Sequence, residues 1–318
     1  MVLYVDMEFF CSFNATVNAK IFKPVNQKRH LQSIKPKNYT IPNTKLSNEI
    51  TKEFVNVGKI PLIVMKNNKG VVKTMNSLRY EDENKIQIKG EFSPYDRTVH
   101  NAVCALHAAG NEVFTASMIY RTLTGSVERE YVSQTALNDI TESIDKSRRM
   151  FLKIDFVDEA RARKLDIDKV TFESYLLPAK KITVVTGGYE KVEAWKLLDI
   201  PPLYAYAVLT KQIILTPVPL LDLNDIVNNT KELIPVKAYL LQRIEIMKND
   251  RNQMKSRCIV YDTIFKESGI EIKHATQRQR LRKYISSILA MWRDEHSYIK
   301  NFAEYKEGRT IKGIEIKL

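Results

Sequence analysis

Between residues 93 and 157 the apolar positions recur at helical spacing, and the same order of elements returns after residue 236. Ser93-Pro94 opens a helix in which Val99, Val103 and Leu106 share one stripe, closed by Gly110. Thr115 caps a short second helix that runs to Leu123 and stops at Gly125. Ser133 caps a third over residues 134–150, which turns Leu137, Ile140 and Ile144 inward. An apolar strand is expected over 151–157. In the later copy, residues 236–249 form a helix bearing Tyr239, Leu240, Ile244 and Met247, and 257–267 form a shorter one stopped by Gly269. The third helix runs from Thr276 to about His296 without Gly or Pro, with Leu281, Ile285, Ile288 and Trp292 on one side and Tyr284 and Leu289 widening the stripe. Helix one to helix three spans 37 positions from Asp96 to Ser133 and 40 from Val236 to Thr276. The repeated order suggests duplication.

The ending sharpens the picture. Two short β-like runs, 298–305 and 310–318, are joined by Lys306-Glu307-Gly308-Arg309. A helix followed by a β-hairpin with a basic turn is how a winged-helix domain closes. Its third helix enters the major groove, and its wing reaches phosphate or the minor groove. The outer face of the last helix carries Thr276, Gln279, Arg280, Lys283, Ser286 and Ser287, with Gln277 in the same basic opening and Arg282 at the flank. Lys306 and Arg309 lie in the turn. A solvated basic face on an ordinary helical hairpin fits the same residues. The third helix of the first copy offers Gln134, Thr135, Asn138, Lys146 and Arg149, types able to read adenine or hold guanine or phosphate. Glu142 and Asp139 beside them would repel a DNA backbone unless they accept from cytosine, so a protein interface or solvated face is the alternative there. Between the copies, residues 170–221 read as β-rich. A hairpin through Gly187-Gly188 is the expected first wing, and residues 201–207 and 212–215 are expected as bridging β structure.

The chain ahead of residue 91 is less patterned. Residues 23–47 read as a flexible basic linker carrying Lys23, Lys28, Arg29, Lys35, Lys37 and Lys45, and residues 54–89 as a small β segment. The expected architecture is α+β: two tandem winged-helix DNA-binding domains, a β-rich connecting part and a basic, partly flexible N-terminal extension. The divisions fall at 1–90, 91–221 and 222–318.

Charge supports a polyanionic partner and says where it would bind. Residues 1–90 hold 15 Lys/Arg against 7 Asp/Glu, residues 91–235 hold 17 against 20, and residues 236–318 hold 18 against 10. Two basic ends around a mildly acidic middle argue against general basicity. No apolar run approaches a membrane span, the first ten residues do not read as a signal peptide, and three scattered cysteines suit a reduced, cytoplasmic setting. No G-x-x-x-x-G-K-[ST] cradle occurs. Among five histidines only His100 and His107 could share a helix face, which reads as core edge. The acidic cluster Asp155, Asp158, Glu159, Asp166 and Asp168 is interleaved with Arg161, Arg163 and Lys164. Tyr131 has no framing His or Arg. The expectation is a non-catalytic protein with no cofactor and no metal.

Several segments are similar to those of replication initiators of plasmids and related mobile elements, the type with two tandem winged helices that binds repeated origin sites. They are Tyr95-Asp96-Arg97-Thr98-Val99-His100-Asn101-Ala102-Val103, Phe114-Thr115 with Ile119-Tyr120-Arg121, Pro202-Leu203-Tyr204-Ala205-Tyr206-Ala207, and the terminal hairpin. The resemblance covers about 90–318. It implies double-stranded DNA with direct repeats as the ligand, base contacts made chiefly by the C-terminal domain, and dimer contacts on the N-terminal one. It further implies recruitment of a host helicase or helicase loader, and dimers that repress while monomers initiate. The acidic middle and the strand over 151–157 are the expected places for a homodimer contact. A winged-helix transcriptional regulator is one alternative, and a nuclease or primase with an unrecognised active site another.

Overall fold

The computed structural model describes residues 34–51, 62–67, 70–78, 92–126, 131–155, 157, 161, 164, 171–186, 190–223, 229–249 and 257–318. It begins with strand β1 (Asn38–Pro42), after which the Thr44 hydroxyl accepts from the Ser47 amide at 3.0 Å and caps helix α1 (Lys45–Glu49). Tyr39, Thr40, Ile41 and Leu46 are buried. Over its described part, the expected flexible linker is therefore folded. A Tyr-Thr-Ile run favours extended backbone, and it finds a pairing partner far along the chain. Lys35, Lys37 and Lys45 are exposed on this segment; Lys23, Lys28 and Arg29 lie outside the described residues. Strands β2 (Leu62–Asn67) and β3 (Gly70–Leu78) form an antiparallel hairpin.

Helix α2 (Pro94–Ala108) starts with a reciprocal cap. The Ser93 hydroxyl accepts from the Asp96 amide at 3.2 Å, and the Asp96 carboxylate accepts from the Ser93 amide at 2.8 Å. Strand β4 (Val113–Thr115) leads into α3 (Ala116–Thr124), capped by Thr115 and ended by Gly125 at φ +75°. Ser133 then caps α4 (Gln134–Arg149). Strand β5 (Met150–Asp155) follows directly, starting one residue and ending two residues earlier than expected, with Val157 already helical. After β6 (Thr171–Tyr175) come β7 (Ala179–Thr186) and β8 (Glu190–Leu197), an antiparallel pair in register from Ala179↔Leu197 to Thr186↔Glu190. The Gly187-Gly188 turn between them lies outside the described residues.

Residues 202–209 are helix α5 (Pro202–Leu209), not bridging β structure. Proline at the first helical position lacks only an amide that would be unpaired anyway, and the Leu-Tyr-Ala-Tyr-Ala run after it is free of β-branched residues. Strand β9 (Ile213–Pro217) is the partner of β1, from Asn38↔Pro217 to Pro42↔Ile213, and a 3₁₀ turn covers Val218–Leu221.

The C-terminal part holds α6 (Leu233–Lys248), β10 (Cys258–Val260), α7 (Tyr261–Glu267), α8 (Ala275–Asp294), β11 (Asn301–Glu307) and β12 (Thr310–Lys317). The helix expected over 257–267 thus gives its first residues to a strand, because Cys-Ile-Val pairs with β12.

Both halves run helix, strand, helix, helix, then an antiparallel strand pair. Each closes a three-stranded sheet of equivalent order, β4-β8-β7 in the first and β10-β12-β11 in the second. The first half differs in that β5 and β6 leave to join β2 and β3 in a four-stranded antiparallel sheet of order β2-β3-β5-β6. Strand β5, expected as a dimer contact, is therefore hydrogen-bonded on both sides. Another chain could meet its side chains but not extend its ladder.

One apolar cluster runs from Tyr39 to Ile316 through both halves. The contact between halves is partly polar. Arg97 on α2 is buried and donates to Asn48 Oδ1 at 3.4 Å and to Gln242 Oε1 of α6 at 3.3 Å. The Gln242 amide in turn donates to Asn43 and Asn48. Burial pulls the Arg97 pKa down while the Glu267 carboxylate opposes it. Glycines make the close approaches. A Cβ on Gly125 would lie 2.4 Å from the Asp222 amide nitrogen, and one on Gly269, at φ +72°, would lie 3.1 Å from the Pro94 ring. Each ends the second helix of its half and abuts the other half or the segment joining them.

The joining segment is held by side chains of the C-terminal half. The Trp292 indole donates to the Leu220 carbonyl at 2.8 Å, and the Lys237 ammonium donates to the Leu221 carbonyl and to Asn229 Oδ1. Burial pushes the Lys237 pKa down to about 7, with Asp222 opposing.

Gly125→Ala combines a left-handed backbone with a backbone clash and should cost more than about 3 kcal/mol. Gly308→Ala, at φ +59° with open space around it, should cost about 1–2 kcal/mol. Urea unfolding of both variants checks the contrast. For Lys237 the unfolded chain binds more protons than the folded one between pH 7 and its ordinary range, so its linkage raises stability with pH there. Between pH 7 and 8.5 the urea midpoint of the wild type should climb relative to that of Lys237→Met.

Candidate nucleic-acid interface

Helix α8 is amphipathic. Leu281, Tyr284, Ile285, Ile288, Leu289, Met291 and Trp292 are buried, and the cations fall elsewhere. The structure sorts those cations into two groups. Arg278 donates to Asp262 Oδ1 at 2.6 Å and lies over the Phe265 ring, tying α8 to α7. Arg282 donates to Glu304 Oε1 at 2.6 Å and lies over Tyr261, tying α8 to β11. The hydrogen bond to Glu304 outweighs burial and holds the Arg282 pKa above the ordinary arginine range. Arg282, expected at the DNA-facing flank, is thus engaged within the fold and fixes the hairpin against the helix.

The second group faces solvent. Arg280 is 70% exposed, and its one ion pair among the described residues is a loose 3.6 Å contact with Glu232. Lys283 is exposed, outside every ion pair among the described residues, and its carbonyl accepts from the half-buried Ser287 hydroxyl at 3.1 Å. Thr276 and Gln279 are exposed beside them. Gln277 is half-buried with its amide oriented at both ends: Oε1 accepts from the Lys273 amide at 2.9 Å, and Nε2 donates to Glu232 Oε1 at 3.3 Å. Lys273, His274, Thr276, Gln277 and Arg280 line an open depression of about 370 Å³ at the N-terminus of α8. His274 supplies no side-chain cap there. Unpaired helix amides together with Lys273 and Arg280 make this end electropositive. Beyond α8, Lys306 and Arg309 are exposed at the tip of the β11–β12 hairpin, whose two-residue turn begins with Gly308 at φ +59°.

Helix α4 presents Gln134, Thr135 and Asn138 to solvent, with Gln134 Nε2 donating to Asn138 Oδ1 at 2.9 Å. Lys146 departs from expectation. Its side chain is 13% exposed, and its ammonium donates to Asp96 Oδ2 at 2.8 Å, so it points into the protein and completes the α2 cap. Arg149 is half-buried at the end of the helix. The acidic pair that spoiled this face in the sequence has a partner from outside it. Lys231 donates to Asp139 Oδ1 at 2.8 Å and lies 4.0 Å from Glu142. Burial of Lys231 favours the neutral amine, but the hydrogen bond and field of Asp139, with Glu142 and Asp96, outweigh it and hold the ammonium above the ordinary lysine range.

Sequence reasoning missed Lys231 and Glu232, since nothing local to a Lys-Glu pair before a helix shows that it meets two other helices. It also missed Lys273 and His274, although they immediately precede the basic helix at its N-terminus.

His100 is buried with Nε2 3.3 Å from the Leu176 carbonyl, and burial pushes its pKa down to about 4. His107 meets the Tyr204 ring edge-on. Tyr131 is 78% exposed. Asp155 ends β5, while Asp158, Glu159, Asp166 and Asp168 lie outside the described residues. Among the described residues no group of three or more His, Cys, Asp or Glu is placed to hold a metal ion, and no helix is long and apolar enough to cross a membrane.

No protein-family model matches the chain, and a search of curated proteins returns no match. Solved structures do superpose on it. Domains 2 and 3 of RctB, as a selenomethionine derivative, align with a TM-score of 0.45 and 12% identity over 87% of this chain and 98% of that one. A second structure of RctB domains 2–3, residues 155–483, aligns with a TM-score of 0.41 and 10% identity over 85% and 97%. At those values neither match assigns a role to any residue.

Lys146→Met should act on stability. It would strip the cation from a nearly buried carboxylate, at a cost on the order of 3 kcal/mol. Thermal unfolding should show the loss, and Asp96→Asn in the same background should recover part of it.

Proposed function

We propose that this protein is a sequence-specific double-stranded DNA-binding replication initiator. Its two repeated units act as winged helices, one over residues 91–221 and one over 222–318, with α4 and α8 as recognition helices and the β7–β8 and β11–β12 hairpins as wings. The observation that carries this reading is the division of labour on α8. Arg278 and Arg282 fasten the helix to its neighbours, which leaves Thr276, Gln279, Arg280 and Lys283 on one exposed face beside a hairpin tipped by Lys306 and Arg309. A rigid basic helix with short polar side chains and an adjacent basic loop suits a major groove and its flanking phosphates.

The initiator role, over that of a promoter regulator, rests on the sequence resemblance to plasmid initiators. On that reading the ligand is a direct repeat of about 20 base pairs, roughly two helical turns for two groove-reading helices. One protomer covers one repeat, a homodimer forms off the DNA, and a host helicase or its loader is the protein recruited.

Arg280→Ala and Lys283→Ala should each weaken binding to a duplex selected from a randomised pool. A guanine contact should cost about 1–3 kcal/mol and relax one base position, whereas a phosphate contact should weaken all duplexes alike. Fluorescence anisotropy with the selected and a scrambled duplex distinguishes the two. Binding by both variants indistinguishable from wild type would remove α8 as the reading helix.

A further inference from the structure

The turn that starts α6 touches both candidate reading helices with adjacent, oppositely charged side chains. Its position does not depend on those charges. The Thr230 carbonyl accepts from the Leu233 and Ile234 amides at 3.0 Å each, Ile234 and Val236 are buried, and Lys237 holds Asn229 just before it. From this fixed point Lys231 reaches α4 at Asp139 and Glu142, with the Tyr95 ring 5.4 Å away, and Glu232 reaches α8 at Gln277 and Arg280.

The two contacts differ in strength. Lys231 makes a 2.8 Å charge-assisted bond to a carboxylate that is 26% exposed. Glu232 makes only a 3.3 Å bond to a neutral amide and a 3.6 Å pair with an arginine that is 70% exposed. An exposed pair of that kind is worth about 0–1 kcal/mol and is screened by salt, so an arriving anion can replace it. What Glu232 offers is an anionic oxygen for Arg280 and an acceptor for the Gln277 amide, the same two functions that DNA presents as phosphate oxygen and base edge.

We propose that Glu232 is an internal competitor that sets the affinity of α8 for DNA: a built-in anion that occupies Gln277 and Arg280 until a duplex supplies acceptors for both. This rests on the reading of α8 as a DNA-binding helix. A duplex with the wrong bases draws off Arg280 alone, leaving Gln277 with Glu232 and a carboxylate close to the incoming backbone. The correct duplex replaces both contacts. Glu232 therefore lowers affinity for both kinds of duplex, and for cognate DNA at least as much as for non-cognate DNA, because cognate binding gives up both of its contacts. Lys231 does the converse on α4, cancelling two carboxylates that would otherwise repel any duplex.

The test compares wild type, Glu232→Gln and Glu232→Asp by fluorescence anisotropy across a salt series. The probes are a random-sequence 30-base-pair duplex and the tightest duplex that wild type selects from a randomised pool. Glu232→Asp keeps a negative charge at the helix start while withdrawing the carboxylate, so it serves if the glutamine variant folds poorly. Either variant should bind the random duplex about three- to tenfold more tightly and the selected duplex by at least as large a factor. Glu232→Gln should also steepen the salt slope on the random duplex by about one, for the cation set free. In an Arg280→Ala background the gain should largely vanish. Unchanged affinities and an unchanged slope, with wild type binding normally, would make Glu232 a solvated surface group. Weaker binding to both duplexes would make it a support for α8. Either result overturns the proposal and leaves DNA binding intact. Wild type binding neither duplex would overturn the DNA reading and this inference with it.

Discussion

A helix enclosed on every side must have each polar group it carries answered from within the protein, and α2 imposes that condition on its surroundings. Every residue from Tyr95 to Leu106 is buried, including Asp96, Arg97, Thr98, His100 and Asn101. The answers come from different elements. Ser93 and Lys146 of α4 serve Asp96. Asn48 of α1 and Gln242 of α6 serve Arg97, whose Nε finds no partner among the described residues. The Leu176 carbonyl serves His100. An unanswered charge in such a place costs several kcal/mol, so α1, α4 and α6 are held to one arrangement around the helix as much by these bonds as by apolar packing. Lys146 is the clearest case, a cation of α4 turned inward to satisfy the core.

The same competition between architecture and surface runs along α8. Four cations in its first three turns look equivalent in sequence. Two are drawn into ion pairs with α7 and β11, one pairs loosely with Glu232, and one stands in solvent. Basic charge on a helix is therefore a poor measure of its capacity to bind a polyanion until the partners of each side chain are known.

What was legible in the sequence was what local chemistry decides. Ser93, Thr115 and Ser133 cap the helices they were expected to cap, Gly125 and Gly269 end theirs in the left-handed region, and the final hairpin falls within three residues of its expected bounds. What was hidden depends on partners distant in the chain. Asn38–Pro42 is a strand because β9 pairs with it, and Cys258–Val260 is one because β12 does. The excursion of β5 and β6 into a separate sheet follows from the existence of β2 and β3. The Pro202–Leu209 helix was misread for a different reason: its proline start was visible, but its apolar run has no helical periodicity, since five of its eight residues are buried. For the candidate site, residue types were legible and their availability was not. Arg282 and Lys146 have the right chemistry and are engaged elsewhere, while Lys231 and Glu232 show their place only once three helices meet.

The grip on the segment between the halves has a consequence for how this chain can be divided. Leu220 and Leu221 precede the second half in sequence, yet their carbonyls are the acceptors for its Trp292 indole and Lys237 ammonium. A cut at residue 222, where composition and element order place the natural seam, would leave a fully buried tryptophan N–H in the C-terminal piece with nothing to donate to, and a buried amine with Asn229 but without its Leu221 acceptor. The C-terminal half therefore begins, as a physical object, several residues before it begins as a repeat, and a recombination joint placed at Val218 would respect that border.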